Sequence, residues 1–100
     1  MANRRMNHDE RAAQLLDAAI RVARKVGYQT MTRGAIAAEA GCTAPLLNAY
    51  FGGVEELRNA VVDHAIQSRD LRIIAQLLAV GDPRTRRVPK VIRLEAIATI

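Results

Sequence analysis

The sequence predicts an all-α protein, and three features support that class. Apolar residues recur at three- and four-residue steps over several stretches, which is the period of one face of an α-helix. Alanine is abundant and aromatic residues make up only 3% of the chain, so closely packed helices are favoured over a sheet. Short runs containing Gly and Pro separate the periodic stretches and mark where each helix ends.

The length of 100 residues corresponds to one domain and limits its chemistry. A chain of this size buries about 60–65% of its unfolded surface, so a large substrate pocket would remove core that the fold needs. The sequence contains no Gly-rich phosphate loop and no convincing Ser-His-Asp arrangement. Glu55 and Glu56 are adjacent and point in different directions on a helix. We therefore expect neither an enzyme nor a bound cofactor.

Membrane and metal sites are also disfavoured. No run of about 18 apolar residues is present, and the charged N-terminus is not followed by the apolar stretch of a signal peptide. The single Cys42 cannot form an internal disulfide, and with His8 and His64 it makes no metal-ligand cluster. These features predict a cytoplasmic protein that binds no metal.

Charge is distributed unevenly along the chain. The net charge is +4 in residues 1–37, −3 in residues 38–82 and +4 in residues 83–100. Most of the cations are Arg, whose planar guanidinium binds phosphates and base edges. Two basic segments around an acidic middle indicate an anionic partner, double-stranded DNA first, although a merely solvated surface would carry the same charges.

The chain divides into three predicted parts: a flexible basic arm at residues 1–8, a helical head at residues 9–53 and a C-terminal part at residues 54–100. The first helix of the head begins near Asp9, where acidic residues suit the positive helix end. It ends at Gly27, a typical C-terminal stop that follows two cations of the last turn.

Two short helices follow in the head. Thr32 and Gly41 bound the first of them, while Thr43 caps the second, which carries Pro45 in its first turn and ends at the Gly pair 52–53. Two short helices joined by a Gly-containing turn and docked on a longer helix describe a helix-turn-helix, whose second helix enters the DNA major groove. A small helical bundle without a role on DNA would show the same pattern.

The C-terminal part begins with a fourth helix that either runs on or kinks near residues 68–70. A break at residues 81–83 precedes the Arg-rich segment 84–87, which is either a second DNA contact or a solvated loop. A last helix then starts near Pro89, with a strand over residues 88–100 as the alternative. The residues expected to point inward on this helix are Val91, Leu94, Ile97 and Ala98.

Several linked motifs between residues 10 and 57 point to a known family. They are Ile36-Ala37, Ala40-Gly41-Cys42-Thr43, Leu47, Tyr50-Phe51 and Glu55-Glu56-Leu57. With these motifs the chain resembles the DNA-binding domain of TetR-type transcriptional repressors. The resemblance implies a three-helix DNA-binding head with a helix-turn-helix, a linking helix and, here, a short C-terminal helical dimerisation segment. It also implies a sequence-specific repressor that acts as a homodimer on an inverted-repeat operator.

The chain departs from that family at two residues and in length. Asn48 and Val54 stand where the family has Tyr and Lys, both of which tend to hold DNA phosphates. These losses favour an alternative function, a protein-binding regulatory module on a helix-turn-helix scaffold that contacts another regulator or RNA polymerase. About 43 residues follow Leu57, too few for the family's ligand pocket. We therefore expect no small-molecule effector and a similarity to short, KorC-like regulators of plasmids and phages.

Candidate DNA contacts follow from these helices and from the resemblance. Arg33 begins the second helix, where free N–H groups attract phosphate, and Asn48 lies on the third helix, where it can pair with an adenine edge. Arg4 and Arg5 can reach into the adjacent minor groove, or form an idle tail. Tyr50 either touches the DNA backbone or packs in the core. The full predicted set is Arg4, Arg5, Thr32, Arg33, Thr43, Ala44, Pro45, Asn48 and Tyr50.

The C-terminal part also carries more apolar residues than a monomer of this size easily buries. Because this surplus lies beyond the head, we predict that it forms the interface of a homodimer. The predicted interface residues are Leu71, Ile74, Leu78, Val91, Leu94 and Ile97.

Overall fold

The computed structural model describes residues 7–99 as six α-helices and one 3₁₀ turn. The elements are α1 (His8–Val26), α2 (Arg33–Ala40), α3 (Ala44–Phe51), α4 (Val54–Ser68), α5 (Leu71–Val80), the 3₁₀ turn (Pro83–Arg87) and α6 (Lys90–Ala98). No strand occurs in this range, so the all-α class is confirmed and the alternative strand at residues 88–99 is excluded. None of the described helices is long and apolar enough to cross a membrane.

Capping residues fix the helix ends, and the predicted Thr32, Gly41 and Thr43 are among them. Asn7 and Glu10 form a reciprocal capping box at the start of α1, with the Glu10 N–H donating to Asn7 Oδ1 at 2.8 Å. Thr32 and Thr43 cap α2 and α3 by accepting a hydrogen bond from a backbone N–H of the first turn, at 3.1 and 3.3 Å. Gly41 ends α2 in the left-handed conformation, with φ of 69°.

The core of the head is built around α1. Its most extensive contact is with α2, and it also packs against α4 and α5. Ala18, Ala19 and Ala23 are fully buried on α1, and their small side chains let neighbouring helices approach closely. Each large side chain fully buried in such a core contributes about 1.5–3 kcal/mol. The large fully buried side chains that residues 7–68 contribute to this core are Leu15, Met31, Ile36, Leu47, Leu57, Val61 and Val62, the last three from α4.

Helix α5 lies between two cores. Ile73 and Leu77 are fully buried in the core of the head, whereas Ile74 is fully buried in a second, smaller cluster with α6. The predicted continuation or kink after α4 is a complete break. Arg69 ends α4 with φ of 59°, and Asp70 then caps α5 by accepting the Ile73 N–H at 3.3 Å.

The orientation expected for α6 is wrong. Ile92 and Ala96 are its buried residues, while Val91, Leu94 and Ile97 are 66, 55 and 52% exposed. Both faces of this helix are apolar, so the sequence pattern alone did not fix which face packs against α5.

The prediction that Ile74 belongs to the dimer interface is also wrong. Its side chain is 0% exposed within the protomer, where it packs in the α5–α6 cluster. Leu71 and Leu78 are half-buried at the edge of the same cluster. They keep surface that a second chain can contact, and Ile74 does not.

A polar network joins the 3₁₀ turn to the rest of the molecule. The hydroxyl of the buried Tyr28 donates to Asp82 Oδ2 at 2.8 Å. Arg84 donates from Nε and Nη2 to the two oxygens of Asp82 at 3.1 and 2.9 Å, and from Nη1 to Asn59 Oδ1 at 2.9 Å. The three guanidinium nitrogens of Arg84 each donate a hydrogen bond within the protomer, so this residue is not part of a solvated loop.

The network shifts the protonation equilibria of its members. The hydrogen bonds from the Arg84 side chain hold the pKa of Asp82 well below its ordinary value of 3.8. Burial, with the Asp82 hydrogen bond as a further cause, raises the pKa of Tyr28 to about 12. Tyr28 therefore stays a hydroxyl donor, and Asp82 an ionised acceptor, throughout the neutral pH range.

The variant Asp82→Asn tests how much this network stabilises the fold. We expect the free energy of unfolding at pH 7 to fall by about 2 kcal/mol, because hydrogen bonds to a charged group contribute about 1.5–3 kcal/mol. The depressed pKa means that this stabilisation is present above about pH 4 and is lost as the pH falls further. Denaturant unfolding of both proteins between pH 3 and pH 7 measures the effect.

The matched control is Asp63→Asn, which removes a 61% exposed carboxylate that pairs with Arg87 at 2.8 Å. Exposed pairs of this kind contribute about 0–1 kcal/mol, so the control should lose little stability. Equal losses in the two variants would show that burial of the Asp82 network adds nothing.

Candidate nucleic-acid interface

The helix-turn-helix is formed by α2, α3 and the turn between them. The turn is closed by a hydrogen bond from the Cys42 N–H to the Ala37 carbonyl at 2.9 Å. Leu47 is the buried residue of α3 and anchors this helix against the core. Tyr50 and Phe51 also pack against the core, so the side of α3 that carries the exposed Pro45 remains available to a partner.

The N-terminal ends of α2 and α3 carry no carboxylate. Neither helix has an acidic residue in its first turn, whereas α1 has Asp9 and Glu10 and α4 has Glu55 and Glu56 there. The positive ends of α2 and α3 are therefore free to attract an external anion such as a DNA phosphate. Thr32 and Thr43 lie at these ends, exposed, and each cap leaves a hydroxyl hydrogen that can donate outward.

Arg33 differs from the other cations of the head. Among residues 7–61 it is the one Arg or Lys with no hydrogen bond or ion pair to another protein group. Arg21 and Lys25 both pair with Glu39, and Arg24 pairs with Asp70 at 2.7 Å. The exposed guanidinium at the start of α2 is thus uncompensated, as a phosphate-binding group requires.

On α3, the predicted contacts share one side of the helix. Pro45 is exposed, and Ala44 and Asn48 are half-buried. The Asn48 side-chain amide makes no hydrogen bond within residues 7–99, so both its donor and its acceptor are available. The small side chains of Ala44 and Pro45 allow the backbone of α3 to approach a DNA groove closely, and the Asn48 amide is then free to bond there.

Comparison with known families identifies this region. Residues 15–61 match the model of bacterial regulatory proteins of the tetR family, a segment that contains all of α2 and α3 and parts of α1 and α4. Residues 15–61 form a TetR-type DNA-binding domain. The protein is therefore a DNA-binding transcriptional regulator. Comparisons with curated proteins and with solved structures gave no significant match.

Tyr50 ties the start of α1 to the end of α3 in the TetR-type domain. Its ring stacks on His8 with the centroids 4.6 Å apart and an angle of 25° between the planes, and it also packs against the core. The predicted core role of Tyr50 is therefore present, and the stacking on His8 was not anticipated. Since 41 residues separate the two rings, no local pattern indicates that they meet. Arg4 and Arg5 lie outside the described residues.

Asn48 and Val54 offer no charged side chain to DNA at their two positions. Val54 is half-buried at the start of α4 and offers no hydrogen-bond donor in its side chain. Within the described head, Arg33 and the N-terminal ends of α2 and α3 are then the groups available to bind phosphate. This distribution makes Arg33 the residue whose removal should matter most.

We expect Arg33→Ala to weaken DNA binding about tenfold, the effect of losing one charge-assisted hydrogen bond to phosphate. The slope of log K against log salt should also become shallower by about one unit, because one phosphate contact is lost. Fluorescence anisotropy with labelled duplex DNA at several salt concentrations measures both quantities.

Arg72→Ala is the matched control, since Arg72 is exposed on α5 and lies outside the TetR-type domain. It removes the same charge and should leave both the affinity and the salt slope nearly unchanged. If the two variants behave alike, the loss in Arg33→Ala reflects net charge and Arg33 is not a specific contact.

Proposed function

We propose that the protein is a sequence-specific repressor that binds an inverted-repeat operator as a homodimer. The observation that carries this proposal is the exposed α2–α3 surface of the TetR-type domain, with its uncompensated Arg33 and two acid-free helix ends. Bound at a promoter, such a dimer represses by excluding RNA polymerase. It acts in the cytoplasm, where the DNA is.

In this proposal α3 enters the major groove. Asn48 is placed to accept from and donate to an adenine edge, a pairing that contributes about 1–3 kcal/mol of discrimination when bidentate. Ala44 and Pro45 bring the start of α3 close to the bases and fit beside a thymine methyl group. Thr32 and Thr43 donate to phosphates on either side of the groove. Tyr50 supports the far end of α3 through its stacking on His8.

The homodimer rests on α6. One face of this helix is buried against α5, and the opposite face presents Val91, Leu94 and Ile97 to solvent. A helix that is apolar on both faces is typically covered on both. A two-fold axis beside α6 lets the same patch cover itself in a second copy, with Leu71 and Leu78 at its edge. Pairing places two α3 helices about 34 Å apart, one turn of DNA.

The variant Leu94→Glu tests this interface. A buried charge at the centre of the patch should convert the dimer into a monomer, with a correspondingly weaker affinity for a two-site operator. Analytical ultracentrifugation and circular dichroism measure assembly and folding separately.

Val80→Glu is the control, because Val80 is 50% exposed and lies at the end of α5 rather than on α6. It should remain a dimer. A Leu94→Glu protein that is folded and still dimeric would exclude the α6 face as the interface.

Selection from random-sequence DNA at two salt concentrations tests the proposed function itself. We expect an enriched inverted repeat whose binding weakens at the higher salt concentration, and a reporter gene placed behind that repeat should be repressed. Binding without sequence preference would contradict an operator-specific repressor. If no DNA is enriched, the helix-turn-helix serves instead as the protein-binding module that Asn48 and Val54 suggest, and a partner regulator or polymerase becomes the target.

A further inference from the structure

A polar cavity of about 320 Å³ lies where three parts of the chain meet. The connection between α1 and α2, the first turns of α4 and the 3₁₀ turn contribute its walls. Its lining residues are Tyr28, Gln29, Glu55, Arg58, Asn59 and Arg84. Five of these six side chains, all but Glu55, carry an N–H or O–H donor.

Arg58 is the central donor. Its Nη1 contacts Glu55 Oε2 at 3.2 Å, and its Nη2 donates to the Met31 carbonyl at 3.3 Å. Its Nε is buried and has no acceptor among the described residues. A buried N–H of a charged group without an acceptor is unfavourable, and such a group in a native fold calls for a partner.

The other side chains around the cavity supply further hydrogen-bond donors, and the nearby carboxylate of Asp82 competes little with an external anion for them. Asp82 is engaged by Arg84 and Tyr28, so its charge is not directed at the cavity. Asn59 accepts from Arg84 through Oδ1, which leaves its NH₂ group to donate. The Gln29 amide makes no hydrogen bond within residues 7–99. Gln29 and Asn59 line the same cavity as Arg58 and add these donors to its wall.

Among the residues that line the cavity, Glu55 is the carboxylate that opposes an anion at Arg58. Its side chain is 74% exposed and contacts Arg58 through a single oxygen. Exposed ion pairs with one contact contribute little to stability. Glu55 can therefore rotate into solvent when a stronger oxyanion approaches the guanidinium.

We propose that this cavity binds a phosphate group, held by Arg58, Asn59 and Gln29, which displaces Glu55. The guanidinium and two amide groups supply the converging donors that a tetrahedral oxyanion accepts. Because Arg58 also holds the carbonyl of Met31, which precedes the cap of α2 at Thr32, occupancy acts on the start of the helix-turn-helix. The phosphate belongs either to a free anion or to the DNA backbone.

Titration of the full chain with inorganic phosphate, followed by ¹H–¹⁵N NMR, tests the proposal without DNA. Sodium chloride at matched ionic strength is the reference. We expect saturable shifts of the Arg58 Nε–H and of the amides at residues 29, 58 and 59, with a millimolar dissociation constant. Arg58→Gln should abolish saturation. Shifts that are weak, linear and spread over the surface would show an adventitious ion only and would overturn the proposal.

Glu55→Gln and Glu56→Gln give a matched pair that does not depend on Arg58. Both variants remove one exposed carboxylate from the first turn of α4, but Glu55 lines the cavity and Glu56 does not. We expect Glu55→Gln to bind phosphate about fivefold more tightly, the upper range for loss of an exposed ion pair, and Glu56→Gln to change little. Equal effects of the two variants would overturn the assignment.

A second titration, with duplex DNA, distinguishes the two sources of phosphate. This titration alone rests on the proposed function. If the backbone is the source, duplex DNA shifts the same resonances, and Glu55→Gln strengthens DNA binding more than Glu56→Gln. If a free anion is the source, phosphate still saturates the cavity while DNA leaves these resonances unmoved. Failure of the phosphate titration refutes the site, whereas failure of DNA binding alone refutes only the proposed function.

Discussion

The close packing of α1 against α2 and α4 is the contact on which the rest of the structure depends. The fully buried Ala18, Ala19 and Ala23 allow neighbouring helices to approach α1 closely, and a larger side chain at any of them would force strain into the core. The helix-turn-helix has little of its own to hold it, since α2 and α3 are eight residues long and α3 is anchored by Leu47. Helices this short are unstable alone, so the α1 scaffold fixes the α2–α3 surface that we propose faces DNA.

Helix α5 extends this scaffold to the C-terminal part. Its opposite faces are buried in different cores, through Ile73 on the side of the head and Ile74 on the side of α6. Polar contacts reinforce the joint, because Gln76 accepts from the Tyr28 N–H at 2.9 Å and donates to the Ala23 carbonyl at 2.8 Å. A pair of protomers joined through α6 would therefore hold its two heads at a fixed distance, as binding to two half-sites requires.

Most of the local structure could be predicted from the sequence, since caps and breaks depend on near neighbours. Thr32 and Thr43 each bond within their own first turn. Contacts between distant residues could not be predicted, such as the Tyr28–Asp82 hydrogen bond across 54 residues. The prediction of which face of α6 is buried was wrong for another reason. Val91 and Ile92 are both apolar, and only packing against α5 decides which of them is buried. For the candidate site, the sequence indicated Arg33 but not that its neighbouring cations are neutralised.

The neutralisation of those cations bears on how such a protein binds DNA. Glu39 engages Arg21 and Lys25, and Asp70 engages Arg24, so the described head offers Arg33 and two helix ends to the phosphate backbone. Non-specific attraction to DNA scales with the number of phosphates neutralised, and one head with so few available cations would hold DNA weakly. Linking two heads makes the second contact intramolecular and multiplies the affinity without any new interaction. Occupancy of an operator would then follow the monomer–dimer equilibrium at α6, and the concentration of the protein itself would set the level of repression.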